Sequence, residues 1–303
     1  PKIVVKPDGL TGGKGVKVTG FQLKDGSEAK EYVRELLATK HGGLKSVILE
    51  EKLEGEEFSL QAFSDGSKVY GMPMVQDHKR AGEGDVGLNT GGMGSYSGIN
   101  HLLPFTRQQH YDAAISIMQK TIDAFCKKTG KKFVGVLYGG FMLTREGVKL
   151  LEYNARFGDP EAMNVLALLK DDLAEVLSQM ANGRIAKAPA FEKKATVCKY
   201  LVPEGYPGKA LTNQPLQINT QAITSFGAKI YYAAVYEEDG IIYTQSSRSV
   251  ALVGTADTIP DAERISEGAC GSVIGKVWHR KDIGTEALVK RRIEHMKQLG
   301  VIR

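Results

Sequence analysis

The sequence has little cysteine, and its three cysteines lie far apart. Cys126, Cys198 and Cys270 are odd in number and lack the close pairs typical of a disulfide framework or a zinc site. We therefore interpret them as small buried hydrophobic residues and expect a protein of a reducing compartment, the cytoplasm.

The sequence also lacks a signal peptide and any apolar run long enough to span a membrane. Its net charge of +5 is mild, and its basic residues are scattered without interleaved aromatic residues. We therefore expect neither a membrane nor a nucleic acid as a partner. A weak positive charge suits small anionic substrates. The first residue, Pro1, leads directly into a strand-like run. We expect a fragment whose natural N-terminus is missing.

What the sequence does contain is an alternation of short strands and amphipathic helices typical of an α+β protein of several lobes. A strand, a glycine-rich loop and a second strand open the chain, and residues 58–63 and 68–75 form a predicted antiparallel pair. Residues 82–98 are predicted to be a long glycine-rich loop. A helix is predicted over 106–130, a hairpin over 133–153, and a boundary within 184–194.

The segment 152–161 contains the clearest candidates for binding a metal ion and a phosphoryl group. Because side chains alternate along a strand, we predict that Glu152, Asn154 and Arg156 project from one face. An anion, a neutral oxygen ligand and a guanidinium are what Mg²⁺ and a transferring phosphoryl group require. The same pattern is also typical of an edge strand with a solvated polar face, so the segment alone leaves both interpretations open.

A glycine loop near the start of the chain is a second candidate. Glycines let backbone N–H groups approach a phosphate, and Lys14 lies among Gly9, Gly12, Gly13 and Gly15. The spacing fits neither the P-loop nor the dinucleotide-binding pattern. A strand–loop–strand flap over a nucleotide and a mobile hairpin without a ligand both fit it.

An acidic hinge over residues 50–57 is the third candidate. Backbone groups that leave a strand here could bind an adenine edge, Leu53 could form an apolar seat, and a later carboxylate could hold ribose hydroxyls. A solvated acidic turn has the same composition.

Taken together, the motifs resemble the glycinamide ribonucleotide synthetase family of ATP-grasp ligases. The resemblance depends on residues 6–15, 50–59, 76–80 with 89–94, 152–161 and 280–284, and it covers nearly the whole chain. It implies an ATP-grasp fold, with two α+β lobes that sandwich ATP, followed by a small α+β C-terminal domain. The implied boundaries are 1–66 for the nucleotide-binding lobe, 67–190 for the metal and substrate lobe, and 191–303 for the last domain.

The resemblance also implies a reaction in purine biosynthesis. ATP phosphorylates the carboxylate of glycine, and the amine of 5-phosphoribosylamine displaces phosphate from glycyl phosphate. The open alternatives are another ATP-grasp carboxylate–amine ligase and a non-catalytic ATP-binding fragment.

Residue roles carry over position by position. Lys14 and Arg156 are the implied catalytic residues. Lys6 and Lys14 would bind the ATP phosphates, Glu50 and Leu53 the adenine, and Glu57 the ribose. Glu152 and Asn154 would bind Mg²⁺ or Mn²⁺, and the substrate side would comprise Asp77, Lys79, Asn89, Thr90, Gly91, Gly92 and Asp159.

The chain departs from the family pattern in several places. Leu88 stands where the family typically has proline, and Gly140 where many ATP-grasp enzymes carry a second acidic metal ligand. Ser246-Ser247-Arg248 stands where the family tends to have Gly-Gly-Arg. The family's Rossmann-like N-terminal domain is missing, so we expect it to act as a partner in cis or in trans. We interpret His78 as a supporting residue and Arg280 as a surface salt bridge, with a phosphate contact as the alternative.

Overall fold

A computed structural model describes residues 2–9, 11, 15–39 and 43–302 of the 303-residue chain. The chain divides into two compact units, Pro1–Glu54 (unit 1) and Gly55–Arg303 (unit 2). The predicted three-domain division remains a prediction.

The helices are α1 (Gly26–Thr39), α2 (Gln108–Thr129), α3 (Glu161–Leu166), α4 (Leu173–Ala181), α5 (Thr220–Ser225), α6 (Ile259–Cys270) and α7 (Glu286–Gln298), with a short 3-10 helix at Ile99–His101. The strands are β1 (Ile3–Pro7), β2 (Lys17–Val18), β3 (Val47–Glu51), β4 (Gly55–Asp65), β5 (Val69–Gly71), β6 (Gln76–Asp77), β7 (Arg80–Gly82), β8 (Val86–Asn89), β9 (Gly94–Ser97), β10 (Val134–Thr144), β11 (Gly147–Asn154), β12 (Ala195–Pro203), β13 (Pro215–Ile218), β14 (Lys229–Tyr232), β15 (Val235–Glu238), β16 (Ile241–Thr244), β17 (Val250–Ala256), β18 (Val273–Ile274) and β19 (Val277–Trp278).

Unit 1 is a three-stranded antiparallel sheet, in the order β2-β1-β3, with α1 packed against it. The Asp25 carboxylate accepts hydrogen bonds from the backbone N–H groups of Ser27 and Glu28, which would otherwise lack partners at the start of α1. The core of this unit comprises Val5, Leu23, Ala29, Tyr32 and Leu36. The predicted strands and helix are confirmed within the described residues.

The first sheet of unit 2 runs in the order β11-β10-β4-β5 and is antiparallel throughout. One face packs on α2. The rings of Phe58 and Phe141 stack there with centroids 5.4 Å apart, in the same core cluster as buried Met118 of α2. Gly130 ends α2 in the left-handed conformation, as predicted. The opposite face of this sheet carries three of the candidate site residues, Glu57, Glu152 and Asn154.

A second sheet in unit 2 joins strands from both sides of residue 190. Its order is β14-β17-β12-β9-β6, with β19 paired to the end of β12. Helix α6 packs on this sheet, and a further sheet of order β15-β16-β13-β18 lies in the C-terminal half of the chain. Among the described residues, no helix combines the length and the apolar character that crossing a bilayer requires.

The prediction of a long loop over residues 82–98 is wrong. The segment contains β8, which pairs with β7, and β9, which pairs with β6 and β12. Glycines weaken the apolar alternation of these strands, so the pairing partners rather than the local sequence hold them extended.

Candidate functional site

A polar face forms on the side of the β4–β10–β11 sheet that does not pack on α2. Tyr138 pairs with both Gln61 on β4 and Asn154 on β11, and Gly140 pairs with Glu152. Directly opposed residues of antiparallel strands project to the same side, so these side chains share one face. The predicted alternation of Glu152 and Asn154 is confirmed.

Glu152 and Asn154 lie side by side and offer two possible oxygen ligands. The Asn154 amide nitrogen lies 3.5 Å from Glu152 Oε1, and turning the amide over would present its oxygen instead. A Cβ on Gly140 would lie 3.3 Å from Glu152 Cγ, so the neighbouring strand leaves little bulk beside the carboxylate. A carboxylate and an amide oxygen fit a hard divalent cation.

The prediction that Arg156 shares this strand face is wrong. Strand β11 ends at Asn154, and Arg156 is an exposed residue in the bend that follows. Its guanidinium donates to the carbonyl of Phe157, with 2.6 Å between Nη1 and O. The alternation rule does not apply beyond the last paired residue of the strand.

Lys79 supplies positive charge beside this face. Its ammonium lies 3.7 Å from the carboxylate of Glu57, the exposed residue near the start of β4. Burial lowers the pKa of Lys79, but the carboxylates of Glu57, Asp77 and Glu152 outweigh it and raise this pKa above its ordinary value. Lys79 therefore stays a cation throughout the physiological pH range.

Asp77 and Glu161 make the surroundings of Lys79 acidic. Burial and the neighbouring Glu161 carboxylate raise the pKa of Asp77 well above its ordinary value. Glu161 is 2% exposed, and Tyr138 donates a hydrogen bond to it at 2.9 Å. Burial, followed by the charge of Glu161, likewise raises the pKa of Tyr138. Such an excess of carboxyl groups suits a cationic ligand, whose charge would favour their ionised form.

The glycine loop of residues 90–92 is hydrogen-bonded to the Lys79 segment. The backbone N–H and the hydroxyl of Thr90 both donate to the Lys79 carbonyl, at 2.7 and 2.9 Å. Gly92 has a φ of +119°, and a Cβ there would lie 2.5 Å from both Asp77 Oδ1 and Pro160 Cδ. Only glycine fits this position, which brings the predicted substrate residues Asp77, Thr90 and Gly92 together. Asn89 is the exposed last residue of β8.

Asp159 is held by two residues from the C-terminal part of the chain. Its Oδ1 accepts a hydrogen bond from Tyr200 at 2.8 Å, and its Oδ2 accepts one from Arg248 at 2.9 Å. The sequence offered two roles for Asp159, either to orient an amine or to support Arg156. In the structure both carboxylate oxygens already have partners.

The remaining predicted residues lie in unit 1. Lys6 forms an ion pair with Glu50 across β1 and β3, and Leu53 is half-buried just after β3. Lys14 lies outside the described residues.

Arg280 is a correction to the sequence interpretation, because it is fully buried rather than a surface residue. It donates two hydrogen bonds to Asp282, at 2.8 and 2.7 Å, and one each to Asp85 Oδ1 and the Arg80 carbonyl, both at 3.0 Å. Burial alone would raise the pKa of Asp85, but the guanidinium groups of Arg292 and Arg280 lower it to about 2. Arg280 thereby anchors the β7–β8 hairpin.

His78 is also buried, with 2% exposure, and its two ring nitrogens have no hydrogen-bond partner among the described residues. Burial, followed by the charges of Arg292 and Arg280, lowers its pKa to about 3. The imidazole is therefore neutral at physiological pH.

A mixed group of possible metal ligands lies elsewhere in unit 2. Glu267, Cys270 and His279 place their ligand atoms within 4.8 Å of one another. The ammonium of fully buried Lys199, however, lies 2.5 Å from Glu267 Oε2 and 2.6 Å from Glu263 Oε1, so a cation already lies beside this group. We assign the group to a buried ion pair, since a dication beside that ammonium would be repelled.

Sequence reasoning missed four residues of this region: Tyr138, Glu161, Tyr200 and Arg248. Glu161 lies in the 152–161 segment, and Tyr138 could be found by pairing the two predicted strands of the hairpin. Arg248 follows Ser246-Ser247 at a place where the family tends to have Gly-Gly-Arg, but it was given no role, and Tyr200 has no local signal. The two residues meet Asp159 across 89 and 41 residues.

Comparisons with known proteins agree with this arrangement. Residues 1–162 match the model of the phosphoribosylglycinamide synthetase ATP-grasp (A) domain, and residues 196–286 match that of the C domain of the same synthetase. The phosphoribosylamine–glycine ligase of Methanobrevibacter smithii is 52% identical over 297 residues, which are 98% of this chain and 68% of that protein. The ligase of the same name from Methanoregula boonei is 54% identical over 298 residues, or 98% of this chain and 67% of that protein.

Solved structures show the same likeness. The crystal structure of phosphoribosylamine–glycine ligase from Thermotoga maritima has a TM-score of 0.79 and 28% identity, and the match covers 93% of this chain and 69% of that chain. The biotin carboxylase domain of a 2-oxoglutarate carboxylase from Hydrogenobacter thermophilus has a TM-score of 0.69 at 14% identity, over 99% of this chain and 65% of that chain, which is a likeness of fold.

Proposed function

The chain belongs to the phosphoribosylglycinamide synthetase family of ATP-grasp ligases, and from this premise we propose how its residues join glycine to 5-phosphoribosylamine. A glycine carboxylate oxygen attacks the γ-phosphorus of ATP, giving glycyl phosphate and ADP. The amine nitrogen then attacks the carbonyl carbon, phosphate leaves with that carboxylate oxygen, and the nitrogen loses a proton. Positioning and charge neutralisation suffice for both steps, because neither needs a protein nucleophile.

The observation that carries this proposal is the polar face of the β4–β10–β11 sheet beside Lys79. Glu152 and Asn154 would hold a divalent cation, for which we propose Mg²⁺ with Mn²⁺ as a substitute, because both residues offer oxygen ligands. When bound, the ion supplies neutralisation of phosphate charge. Glu57 would hold the ribose hydroxyls from the edge of the same face.

Lys79 and Arg156 would balance the charge of the reacting groups. The raised pKa of Lys79 keeps an ammonium next to the face, where it can bind the carboxylate of glycine or the acyl phosphate. Arg156 lies two residues beyond β11, and its exposed guanidinium must exchange the Phe157 carbonyl for a phosphoryl oxygen. Asp77 and Glu161 suit the ammonium group of glycine, since a cation there would offset their mutual repulsion.

In unit 1, we propose phosphate binding by Lys6 and Lys14 and adenine binding by Glu50 and Leu53. The strand pairing that brings Lys6 and Glu50 together supports a shared role for them. The substrate roles of Asn89, Thr90, Gly91, Gly92 and Asp159 are part of the same proposal.

The curated relatives are longer than this chain, which spans about two thirds of their length. We propose that the additional N-terminal segment of such relatives completes the phosphoribosylamine site, in cis or in trans.

A coupled ADP assay tests the function. It should be run with glycine and phosphoribosylamine on this chain and on one extended to the length of its relatives. We expect ADP release by the extended chain to require both substrates, and this chain to bind MgATP while turning over more slowly. ADP release that ignores glycine, or binding of ATP without turnover in both chains, would contradict the proposal and favour a non-catalytic nucleotide-binding protein.

A further inference from the structure

Arg248 is a nearly buried arginine that joins three separate parts of unit 2. It lies between β16 and β17, and its side chain is 13% exposed. Nη1 donates to the carbonyls of Gly91 and Gly92, both at 3.0 Å, and to the carbonyl of Asp159 at 3.2 Å. Nη2 donates to Asp159 Oδ2 at 2.9 Å. One guanidinium thus contacts the glycine loop and the Asp159 segment at the same time.

Tyr200 fixes the geometry of this contact. Its ring lies under the guanidinium, with 4.6 Å between Arg248 Cζ and the ring centroid, and its hydroxyl donates to Asp159 Oδ1. Arginine uses its planar, delocalised charge in this way, with donors in the plane and an aromatic ring beneath. Burial, followed by the charge of Asp159, raises the pKa of Tyr200, so the hydroxyl remains a donor.

The two segments that Arg248 joins are packed without spare room. Gly92 approaches both Asp77 and Pro160 so closely that no Cβ fits, and Pro160 follows Asp159 directly. A shift of the Asp159 segment would therefore move Asp77 and the loop together. The groups whose position depends on Arg248 are those that carry the substrate side of the proposed site.

We propose that Arg248, supported by Tyr200, is a positioning residue that holds the glycine loop of residues 90–92 against Asp159 in the geometry that binds glycine and the amine substrate. The proposal deepens the ligase function given above. Arg248 acts through the loop carbonyls and Asp159, and it has no described contact with Glu57, Glu152 or Asn154. Its loss should therefore weaken binding of glycine and phosphoribosylamine and leave ATP binding unchanged.

The kinetic test uses Arg248→Met and Arg248→Lys in the extended chain. Because hydrogen bonds from a charged donor are lost, we expect the KM for glycine or for phosphoribosylamine to rise by about tenfold or more in Arg248→Met. The KM for ATP should change less than about twofold, because no ATP group depends on Arg248. Arg248→Lys should recover only part of the loss, because an ammonium cannot reach both carbonyls and the carboxylate. Added free guanidinium should lower the raised KM of Arg248→Met towards the wild-type value.

Arg264→Met is the matched control. Arg264 is a surface residue of α6 that pairs with Asp261, and its side chain is 70% exposed. We expect its kinetic constants to equal those of the wild type. Equal increases in the KM values for ATP, glycine and the amine in Arg248→Met would indicate general destabilisation and overturn the proposal.

A second measurement does not depend on turnover. In the 303-residue chain, amide hydrogen exchange of residues 90–93 should quicken by about tenfold in Arg248→Met and remain unchanged in Arg264→Met. Unchanged exchange in Arg248→Met would overturn the positioning role. If the extended wild type released no ADP with glycine and phosphoribosylamine together, the ligase function would fail, and the exchange result would still decide whether Arg248 holds the loop.

Discussion

Glu152 and Asn154 are the residues on which the proposed metal site depends. We predict that Glu152→Gln and Asn154→Leu raise the Mg²⁺ concentration needed for half-maximal ADP release by about tenfold to 100-fold, because the first removes the negative charge of one ligand and the second removes an oxygen ligand. A magnesium titration of ATP turnover measures this shift.

Glu146→Gln is a suitable control for that titration. Glu146 is exposed at the turn between β10 and β11 and pairs only with Lys149 among the described residues. The magnesium concentration that Glu146→Gln needs for half-maximal ADP release should equal that of the wild type. An Asn154→Leu variant with an unchanged magnesium requirement would contradict the metal assignment.

The lowered pKa of His78 predicts how the stability of the fold depends on pH. Its pKa is about 3 in the folded protein against 6.5 for an ordinary histidine, so between these values the unfolded chain binds a proton that the folded chain does not. The free energy of unfolding should therefore fall as the pH is lowered from 6.5, by up to about 1.4 kcal/mol per pH unit for this one group. His78→Phe removes this titration. It breaks no hydrogen bond among the described residues, because neither ring nitrogen of His78 has a partner there.

Urea unfolding at several pH values between 4.5 and 7 measures this effect. The free energy of unfolding of His78→Phe should fall less steeply on acidification than that of the wild type. Parallel curves would show that His78 is not the group responsible.

Single residues differ in how well the sequence predicts them. Strand alternation was enough to place Glu152 and Asn154 on one face. The same rule failed for Arg156, because the length of β11 is set by its pairing with β10, which the sequence of one strand does not contain. The contacts of Arg248 and Tyr200 with Asp159 could not be predicted, since they depend on the whole fold of unit 2.

The β7–β8 hairpin is the element that depends most on buried charge. Arg280→Met would remove the buried cation that faces Asp85 and Asp282, and we predict a loss of about 3–5 kcal/mol in the free energy of unfolding. Arg264→Met removes an exposed pair and should cost less than about 1 kcal/mol. Urea unfolding of both variants tests the difference. Equal stability of the two variants would contradict the anchoring role of Arg280.

Among the elements, the sequence predicted the long ones well. The apolar spacing and Gly130 identify α2, and the hairpin of β10 and β11 follows from a turn between two apolar runs. The short strands β8 and β9 were missed because each is only four residues long and contains glycine. The partner of β8 is the three-residue strand β7 beside it, and β9 is held extended by β12, which is distant in sequence.

At the scale of the whole molecule, the division into two units depends on which residues contact one another in the fold, and the sequence motifs do not reveal it. Unit 1 ends at Glu54, within the acidic hinge that sequence reasoning treated as one motif.

We predict that adding the separately produced N-terminal third of a relative raises turnover by this chain at saturating MgATP. Unchanged turnover in the coupled ADP assay would count against completion of the site in trans.

The central claim is that the polar face beside Lys79 makes glycyl phosphate, and hydroxylamine trapping tests it without phosphoribosylamine. The chain is incubated with MgATP, hydroxylamine and glycine labelled with ¹⁸O in its carboxylate. We predict glycine hydroxamate in step with ADP, one labelled oxygen in each phosphate released, and a large loss of both products in Asn154→Leu. ADP formation with unlabelled phosphate, or no hydroxamate from a chain that binds MgATP, would contradict the claim.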